Sequence, residues 1–267
     1  MGAGIASVLA RAGIEVELID VDEGRAQAGL ARAREMIEDS VARSRITPSD
    51  GQTAKRIIQA RSAIAAATPE PRLAIEAVPE RFELKQEVLT AAGRLRPKLL
   101  ATNTSGISID DLATCVPDPS SFIGMHFFNP VPAIRLVELV LGSATSEGAR
   151  SAAADLIAEI DKEAVVVSDA PGFASSRLGI VLGLEAIRMV EQGVARPEDI
   201  DRAMVLGYRH PVGPLRLTDI VGLDVRLDIA RNLSNAYGDR FAPPPLLEQM
   251  VAEGRLGQKS GQGFYRW

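Results

Sequence analysis

The sequence predicts an α/β fold with a mostly parallel sheet in its first part and an all-α domain in its second part. Between residues 14 and 169, short apolar runs alternate with stretches of helical composition. This alternation is typical of a parallel sheet that helices cover on both faces. From about Ser175 onward the apolar residues recur at helical spacing, interrupted by the turns "GYRHPVGP" and "APPP". We therefore predict a domain boundary near Asp169, with domains spanning residues 1–169 and 170–267.

The chain begins with a predicted helix, a strand and two further helical stretches. Ile5, Val8 and Leu9 form an apolar stripe at helical spacing, and Gly13 can end this helix in the left-handed conformation. The segment "IEVELID" alternates apolar with acidic residues, which predicts a strand. Helical composition then extends over residues 25–45 and 52–66.

Five further strands are predicted in the remainder of the first domain. They correspond to the runs "LAIEAV", "LLATN", "FIGMHFF", "RLVELVLG" and "AVVVSD". The segment "RFELKQEVLTAAGRL" between the first two has the composition of a crossover helix. Ser108 and Asp111 stand at capping-box spacing at the start of "SIDDLATCV", which predicts the beginning of another helix.

The opening segment "MGAGIASVLARAGIEVELID" is typical of the second half of a dinucleotide-binding turn. A Rossmann turn uses three glycines, and only the last, which allows close packing of helix on strand, can be present here, as Gly2. Asp20 follows about 20 residues later at a strand end, where a carboxylate binds ribose hydroxyls and repels a ribose phosphate. This pattern favours NAD over NADP as the cofactor. Asp20 could equally be a solvated strand end.

No predicted strand precedes these glycines, so the expected fold is a Rossmann-type, doubly wound sheet that lacks its first strand. That strand would be the central one, and the first two glycines would lie in the turn after it. We hypothesise that Met1 corresponds to an internal residue and that the true start lies upstream by about one strand and turn. Mass spectrometry of the native protein would test this hypothesis.

Composition excludes several classes of function. Hydrophobic residues at 46% and charged residues at 24% are ordinary globular values, which argues against disorder. The net charge of −5 gives no basic surface for nucleic acid. No stretch is apolar enough for a membrane span and no secretory signal is visible, so the expected compartment is the cytoplasm. With Cys115, His126 and His210 as the whole cysteine and histidine content, no metal site is expected, and redox chemistry would need an organic cofactor.

Several strings together carry a family resemblance. They are "IEAVPE", "NTSG", "HFFNPVP", "LVELV", "DAPGF", "EDIDRAM", "GPLRLTDIVGLDV" and "GQGFY". In this order and spacing the sequence resembles the 3-hydroxyacyl-CoA dehydrogenase family over essentially its whole length. The resemblance implies NAD-dependent oxidation of an (S)-3-hydroxyacyl-CoA to the 3-oxoacyl-CoA, with short-chain substrates such as 3-hydroxybutyryl-CoA.

His126 and Glu138 are the candidate catalytic pair. Oxidation of a secondary alcohol needs a base for the hydroxyl proton, and a histidine near its usual pKa suits this task. His126 ends an apolar strand, and Glu138 on the next strand could bind the other ring nitrogen and fix the tautomer. The resemblance implies this pairing. The residues alone also allow a core histidine and a charge on the strand surface.

Three further residues are implied near the reacting groups. By resemblance, the Ser105 hydroxyl would hydrogen-bond the substrate oxygen, and Asn129 would support the nicotinamide. The family carries an asparagine after "PGF" where this chain has Ser176. Its shorter side chain would make a water-mediated contact. "TNTSG" and Asn129 before proline are also ordinary turn signals.

Three charged residues match family positions near the cofactor. Glu80 and Lys85 lie in "VPERFELK", and Lys259 lies in "GQKSGQGFY". By resemblance these residues contribute to NAD binding together with Gly2, Asp20, Ser105 and Asn129. Exposed helix charges and a tail lysine are the alternatives.

Competing functions remain open from the sequence. Related dehydrogenases act on 3-hydroxyadipyl-CoA or on a free hydroxy acid such as gulonate. A non-catalytic structural homologue, disabled by the missing first strand, is the alternative of another class. The family forms homodimers through its helical C-terminal domain, so a homodimer is expected, with an acyl-CoA as the small-molecule partner.

Overall fold

The computed structural model describes residues 1–267, which form two compact units, Met1–Asp169 and Ala170–Trp267. The strands of the first unit are β1 (Val16–Ile19), β2 (Ile58–Arg61), β3 (Ala74–Glu76), β4 (Leu100–Thr102), β5 (Phe122–Phe127), β6 (Leu136–Leu141) and β7 (Glu163–Ser168). Its helices are α1 (Gly2–Arg11), α2 (Glu23–Ala42), α3 (Pro48–Arg56), α4 (Phe82–Gly93), α5 (Ile109–Ala113) and α6 (Glu147–Glu159). The second unit contains α7 (Ser175–Glu191), α8 (Pro197–Tyr208), α9 (Pro214–Val221), α10 (Leu223–Tyr237) and α11 (Pro245–Ala252).

The strands of the first unit form two sheets. One contains β1 and β2 in parallel, and the other has the order β3-β4-β5-β6-β7. All pairs in the larger sheet are parallel except β5 with β6. Strands β1 and β3 each have one hydrogen-bonded neighbour. The predicted α/β fold with a mostly parallel sheet, followed by an all-α domain, is confirmed.

One predicted element was wrong. Residues 52–66 were expected to be helical, but α3 ends at Arg56 and β2 follows directly. The helix also begins earlier than expected, where the Thr47 hydroxyl accepts a hydrogen bond from the Asp50 amide and Pro48 occupies the first position. Strand β2 forms because its backbone pairs with β1, from Val16 with Ile58 to Ile19 with Arg61. This pairing joins segments about 40 residues apart, so the alanine-rich local composition did not reveal it.

Strand β5 lies at the centre of the larger sheet, and all six of its residues are buried. Met125 and Phe127 enter the main apolar core of the unit. On the other face, Gly124 leaves no room for a side chain, because a β-carbon there would lie 2.8 Å from both Ile109 and Val140. This close packing fixes the position of β5, and therefore of His126, which is the next residue on the same face.

The helical unit has its own core and holds the C-terminal segment by two buried carboxylates. Asp219 accepts hydrogen bonds from the Phe264 and Tyr265 amides and from the Trp267 indole, each at 2.9 Å. Asp201 accepts the Tyr265 hydroxyl at 2.7 Å. Because a buried carboxylate needs such donors, these contacts anchor the last residues of the chain.

Candidate active site

His126 and Glu138 meet on adjacent antiparallel strands. The register of β5 and β6 places His126 directly opposite Glu138, and the Nδ1 atom lies 2.9 Å from Oε2. His126 is 6% exposed and Glu138 is 1% exposed. The ring of Phe128 lies 4.3 Å from the imidazole, centroid to centroid. The pair is therefore a buried, oriented imidazole with its carboxylate, which can transfer a proton at Nε2 while the charge is stabilised through Nδ1.

Strand periodicity explains why these two polar residues share a face. Met125 and Phe127 face the core and pair with Leu139 and Val137, so the residues between them face the opposite side. The end of β5 is fixed by Asn103, whose side-chain oxygen accepts the Phe127 amide at 2.9 Å. The sequence reasoning missed Asn103, which directly follows β4. Its place after a strand end was the signal that could have found it.

Asn129 is exposed in the loop after β5, before a cis peptide bond to Pro130. Lys162 holds this loop, since its buried ammonium donates to the carbonyls of Val131, at 2.7 Å, and Ile134. Burial, together with the nearby charge of Arg11, lowers the pKa of Lys162. Sequence reasoning missed this lysine, because both of its partners lie about 30 residues earlier.

Ser105 is exposed in the turn after β4, and Glu80 holds that turn. One carboxylate oxygen of Glu80 accepts the Thr104 hydroxyl, the Ser105 amide at 2.9 Å and the Gly106 amide at 3.2 Å. The Ser105 hydroxyl lies 3.3 Å from the same oxygen. Burial raises the pKa of Glu80, but the Thr104 hydroxyl, the Lys85 ammonium and the Ser105 amide outweigh it, so the net pKa lies below 4.5.

Lys85 lies on α4 but is only 1% exposed. The alternative interpretation of this lysine as an exposed helix charge is therefore wrong. Its ammonium contacts both oxygens of Glu76, at 2.9 and 3.0 Å, and one oxygen of Glu80, at 3.2 Å. Glu80 lies before the helix, which begins at Phe82. Glu76 was not singled out from the sequence, although a charged residue inside the apolar run "LAIEAV" was a usable signal.

The residues predicted to bind the nucleotide lie at the beginning of α1 and just after β1. No side chain caps the first amides of α1, and its first turn contains no acid, which suits a phosphate. Asp20 follows β1, is half-buried and accepts the Val21 amide at 2.8 Å, leaving carboxylate capacity for ribose hydroxyls. These residues fit an NAD molecule.

Gly4 is packed more tightly than Gly2 in this structure. A β-carbon at Gly4 would lie 2.9 Å from a methyl of Val131, whereas one at Gly2 would lie 3.9 Å from the nearest atom, on Ala77. The reason is that the loop carrying Val131 packs against the first turn of α1. Gly2 begins the helix.

Two predicted residues lie in the helical unit. Ser176 is half-buried in the first turn of α7. Lys259 is partly exposed, and its ammonium lies 2.6 Å from a carboxylate oxygen of Asp224. His210 follows α8 and is half-buried.

The residues of the chain form no cluster of three or more His, Cys, Asp or Glu side chains suited to a metal ion. None of the helices has the length and apolar character needed to cross a bilayer.

Comparison with known families decides the relationship of the chain. Residues 1–170 match the NAD-binding domain of 3-hydroxyacyl-CoA dehydrogenase, and residues 172–267 match its C-terminal domain. The chain belongs to the 3-hydroxyacyl-CoA dehydrogenase family. The family, the class of NAD-dependent dehydrogenase and the cofactor NAD that the motifs predicted are thereby confirmed.

Members of this family with curated names resemble the chain over nearly its full length. The probable 3-hydroxybutyryl-CoA dehydrogenase of Bacillus subtilis is 40% identical over 99% of this chain and 93% of that protein. The crystal structure of (S)-3-hydroxybutyryl-CoA dehydrogenase from Ralstonia eutropha is 35% identical, with a TM-score of 0.94 over 100% of this chain and 95% of that one. The 3-hydroxyadipyl-CoA dehydrogenase of Escherichia coli K12 is 37% identical over 100% of this chain and 57% of that protein.

Replacing Glu80 by Gln should destabilise the protein at neutral pH but not in acid. The pKa of Glu80 is lowered below 4.5 in the folded protein, so its contribution is complete above that pH and is lost as pH falls through the folded pKa. We expect the free energy of unfolding in urea to drop by about 1 kcal/mol at pH 7, with the difference closing well below pH 4.5.

Glu87→Gln, at an exposed position of α4, is the matched control and should change that free energy by less than about 0.5 kcal/mol at either pH. A loss in the Glu80 variant that persists unchanged in acid would contradict the role of the ionised carboxylate.

Proposed function

We propose that this chain oxidises short-chain (S)-3-hydroxyacyl-CoA esters, such as 3-hydroxybutyryl-CoA, reversibly to 3-oxoacyl-CoA with NAD. The buried His126–Glu138 pair carries the proposal. Its Nδ1–Oε2 distance of 2.9 Å and its burial supply the oriented base that alcohol oxidation requires. The curated names of the full-length relatives support the substrate class.

His126 acts as the general acid and base in this proposal. With Nδ1 donating to Glu138, the neutral ring carries its lone pair on Nε2, which takes the hydroxyl proton in oxidation and returns it in reduction. Glu138 stabilises the imidazolium that forms. Bound NAD supplies the acceptor for the hydride that leaves C3. Ser105 hydrogen-bonds the substrate oxygen and Asn129 supports the reaction centre. The water-mediated contact of Ser176 stays a prediction from the family resemblance.

NAD binding is proposed at the first unit, and the role of Lys259 stays a prediction from the family resemblance. The start of α1 at Gly2 faces the phosphates with uncapped amides, and Asp20 binds the ribose hydroxyls. Glu80, together with Lys85, contributes through the turn that carries Ser105. The cytoplasmic location stays a prediction.

Replacing His126 by Gln should abolish turnover and preserve cofactor binding. Loss of a general base typically costs about 10²- to 10⁴-fold in rate. We expect kcat with acetoacetyl-CoA and NADH to fall by at least about 10³-fold, while the NADH dissociation constant from fluorescence changes less than about twofold.

His210→Gln, which removes the other histidine of the chain, should retain full activity. Retained turnover in the His126 variant would assign the base elsewhere. Absence of NADH binding by the unmodified chain would instead favour the non-catalytic homologue.

One observation favours a dicarboxylic substrate as a second candidate. Arg226 on α10 is 8% exposed, no carboxylate lies within ion-pair distance, and its Nε lacks a hydrogen-bond partner. Burial lowers the pKa of Arg226 to about 10. Its guanidinium lies against Gly179, one turn after Ser176 on α7. A buried cation without an anion suits the terminal carboxylate of 3-hydroxyadipyl-CoA, the substrate that the Escherichia coli relative's name specifies.

Comparing kcat/KM for acetoacetyl-CoA, 3-oxoadipyl-CoA and free hydroxy acids separates these candidates. We expect acetoacetyl-CoA to be preferred. A preference of about tenfold or more for 3-oxoadipyl-CoA that disappears in Arg226→Met would establish the second candidate. Exposed Arg202→Met on α8 is the control and should leave either preference unchanged. Activity on free acids alone would refute the CoA assignment.

We also propose that the chain forms a homodimer through its helical unit. That unit exposes large apolar side chains on several helices, among them Leu178 and Leu182 on α7 and Leu206 and Tyr208 on α8. Exposure of large apolar side chains is typical of protein interfaces.

Sedimentation should therefore give about twice the chain mass of 28.5 kDa. Leu178→Glu should lower this mass toward the monomer, because it buries a charge in the contact. Val166→Glu, at an exposed position on β7 of the first unit, is the control and should remain dimeric. Dissociation in the control alone would place the interface on the first unit.

A further inference from the structure

A continuous chain of charged and polar contacts joins the end of β3 to the turn that carries Ser105. Glu76 ends β3, and its two oxygens contact the Lys85 ammonium at 2.9 and 3.0 Å. Lys85 also lies 3.2 Å from Glu80. Glu80 then accepts the Ser105 amide at 2.9 Å.

The position of Glu76 is fixed independently of its contact with Lys85. Its Oε2 accepts the Thr102 hydroxyl at 2.6 Å, and its Oε1 accepts the Val78 amide at 2.6 Å. Thr102 and Glu76 occupy paired positions in the parallel register of β4 and β3. The carboxylate is therefore held by the sheet itself, and the position of the Lys85 ammonium follows from it.

The charges of Glu76, Lys85 and Glu80 alternate as negative, positive and negative. The side chains of Glu76 and Lys85 are almost completely buried, with exposed fractions of 0% and 1%. The side chain of Glu80 is 41% exposed. In a dry site an ion pair is strong and its geometry is narrow, while an exposed carboxylate by itself would move freely. The buried pair thus holds the carboxylate of Glu80 against the turn.

We propose that Glu76 is a positioning residue that acts through Lys85 and Glu80 to hold Ser105 for the reaction. The inference rests on the proposed function, in which the Ser105 hydroxyl contacts the substrate oxygen. Lys85 contributes by this relay, because its ammonium is fully engaged by Glu76, Glu80 and the Val78 carbonyl. A shift of about 1 Å in such a group can cost about 10²-fold in rate.

The test is a double-mutant cycle on kcat with saturating NADH and acetoacetyl-CoA. Glu76→Gln keeps the shape of the side chain and removes its charge. We expect this change to lower kcat about 30-fold in the unmodified protein but less than about twofold in Ser105→Ala, because the positioned hydroxyl is then absent. Rates are divided by the concentration of NADH-binding sites, which removes any effect of partial unfolding.

A second variant covers the case in which Glu76→Gln does not fold. Thr102→Val removes the hydroxyl that donates to Glu76 and changes no charge. It should lower kcat about fivefold, again only when Ser105 is present. Thr90→Val is the matched control. Its hydroxyl donates to the Cys115 carbonyl at 3.1 Å from the same helix as Lys85, and its loss should leave kcat unchanged in both backgrounds.

The outcomes separate the inference from the proposed function. If Ser105→Ala lowers kcat but the losses from Glu76→Gln and Thr102→Val multiply with it, the positioning role is wrong and the function stands. If Ser105→Ala leaves kcat unchanged, the assigned role of Ser105 and the inference are both overturned. Loss of the Glu76 effect in the Ser105→Ala background supports the inference.

Discussion

The antiparallel pairing of β5 and β6 is the constraint on which the rest of the proposed active site depends. It places His126 opposite Glu138 on one face, while Met125 and Leu139 pack into the core on the other. Because side chains alternate along a strand, a slip of one residue would exchange these faces and move the imidazole into the apolar core. Strand β5 is buried throughout and central in its sheet, so neighbouring packing holds this register.

Polar side chains of the first unit fix the loops that leave the strands. Asn103 anchors the end of β5, Lys162 holds the loop that contains Asn129, and Glu80 holds the turn of Ser105. Burial of the Lys162 ammonium is costly and is compensated by two carbonyl acceptors, while Glu80 accepts several hydrogen bonds and lies beside the Lys85 ammonium. The same contacts that satisfy these groups therefore make the proposed site rigid.

Sequence signals predicted helix ends correctly where the deciding contacts join residues that are close in sequence. The Ser108 hydroxyl accepts the Asp111 amide at the start of α5, as the capping spacing indicated, and Gly13 follows α1 with a φ of 82°. The expectation of a helix over residues 52–66 was wrong, because β2 exists only through its pairing with β1. The tight packing of Gly4 was also invisible in the local sequence, since its neighbour Val131 comes from a distant loop.

By itself, the sequence determined the family, the cofactor and the His126 and Glu138 candidates, because motif order, strand periodicity and side-chain chemistry are local properties of the chain. The tertiary structure alone decided which charges are buried and what they contact. Glu76 and Lys85 lie nine residues apart, and nothing in the linear sequence pairs their charges. In the folded protein they form one buried ion pair beside Thr102. Burial and ion pairing arise between segments that meet only after folding, so their energies depend on contacts that the linear order does not contain.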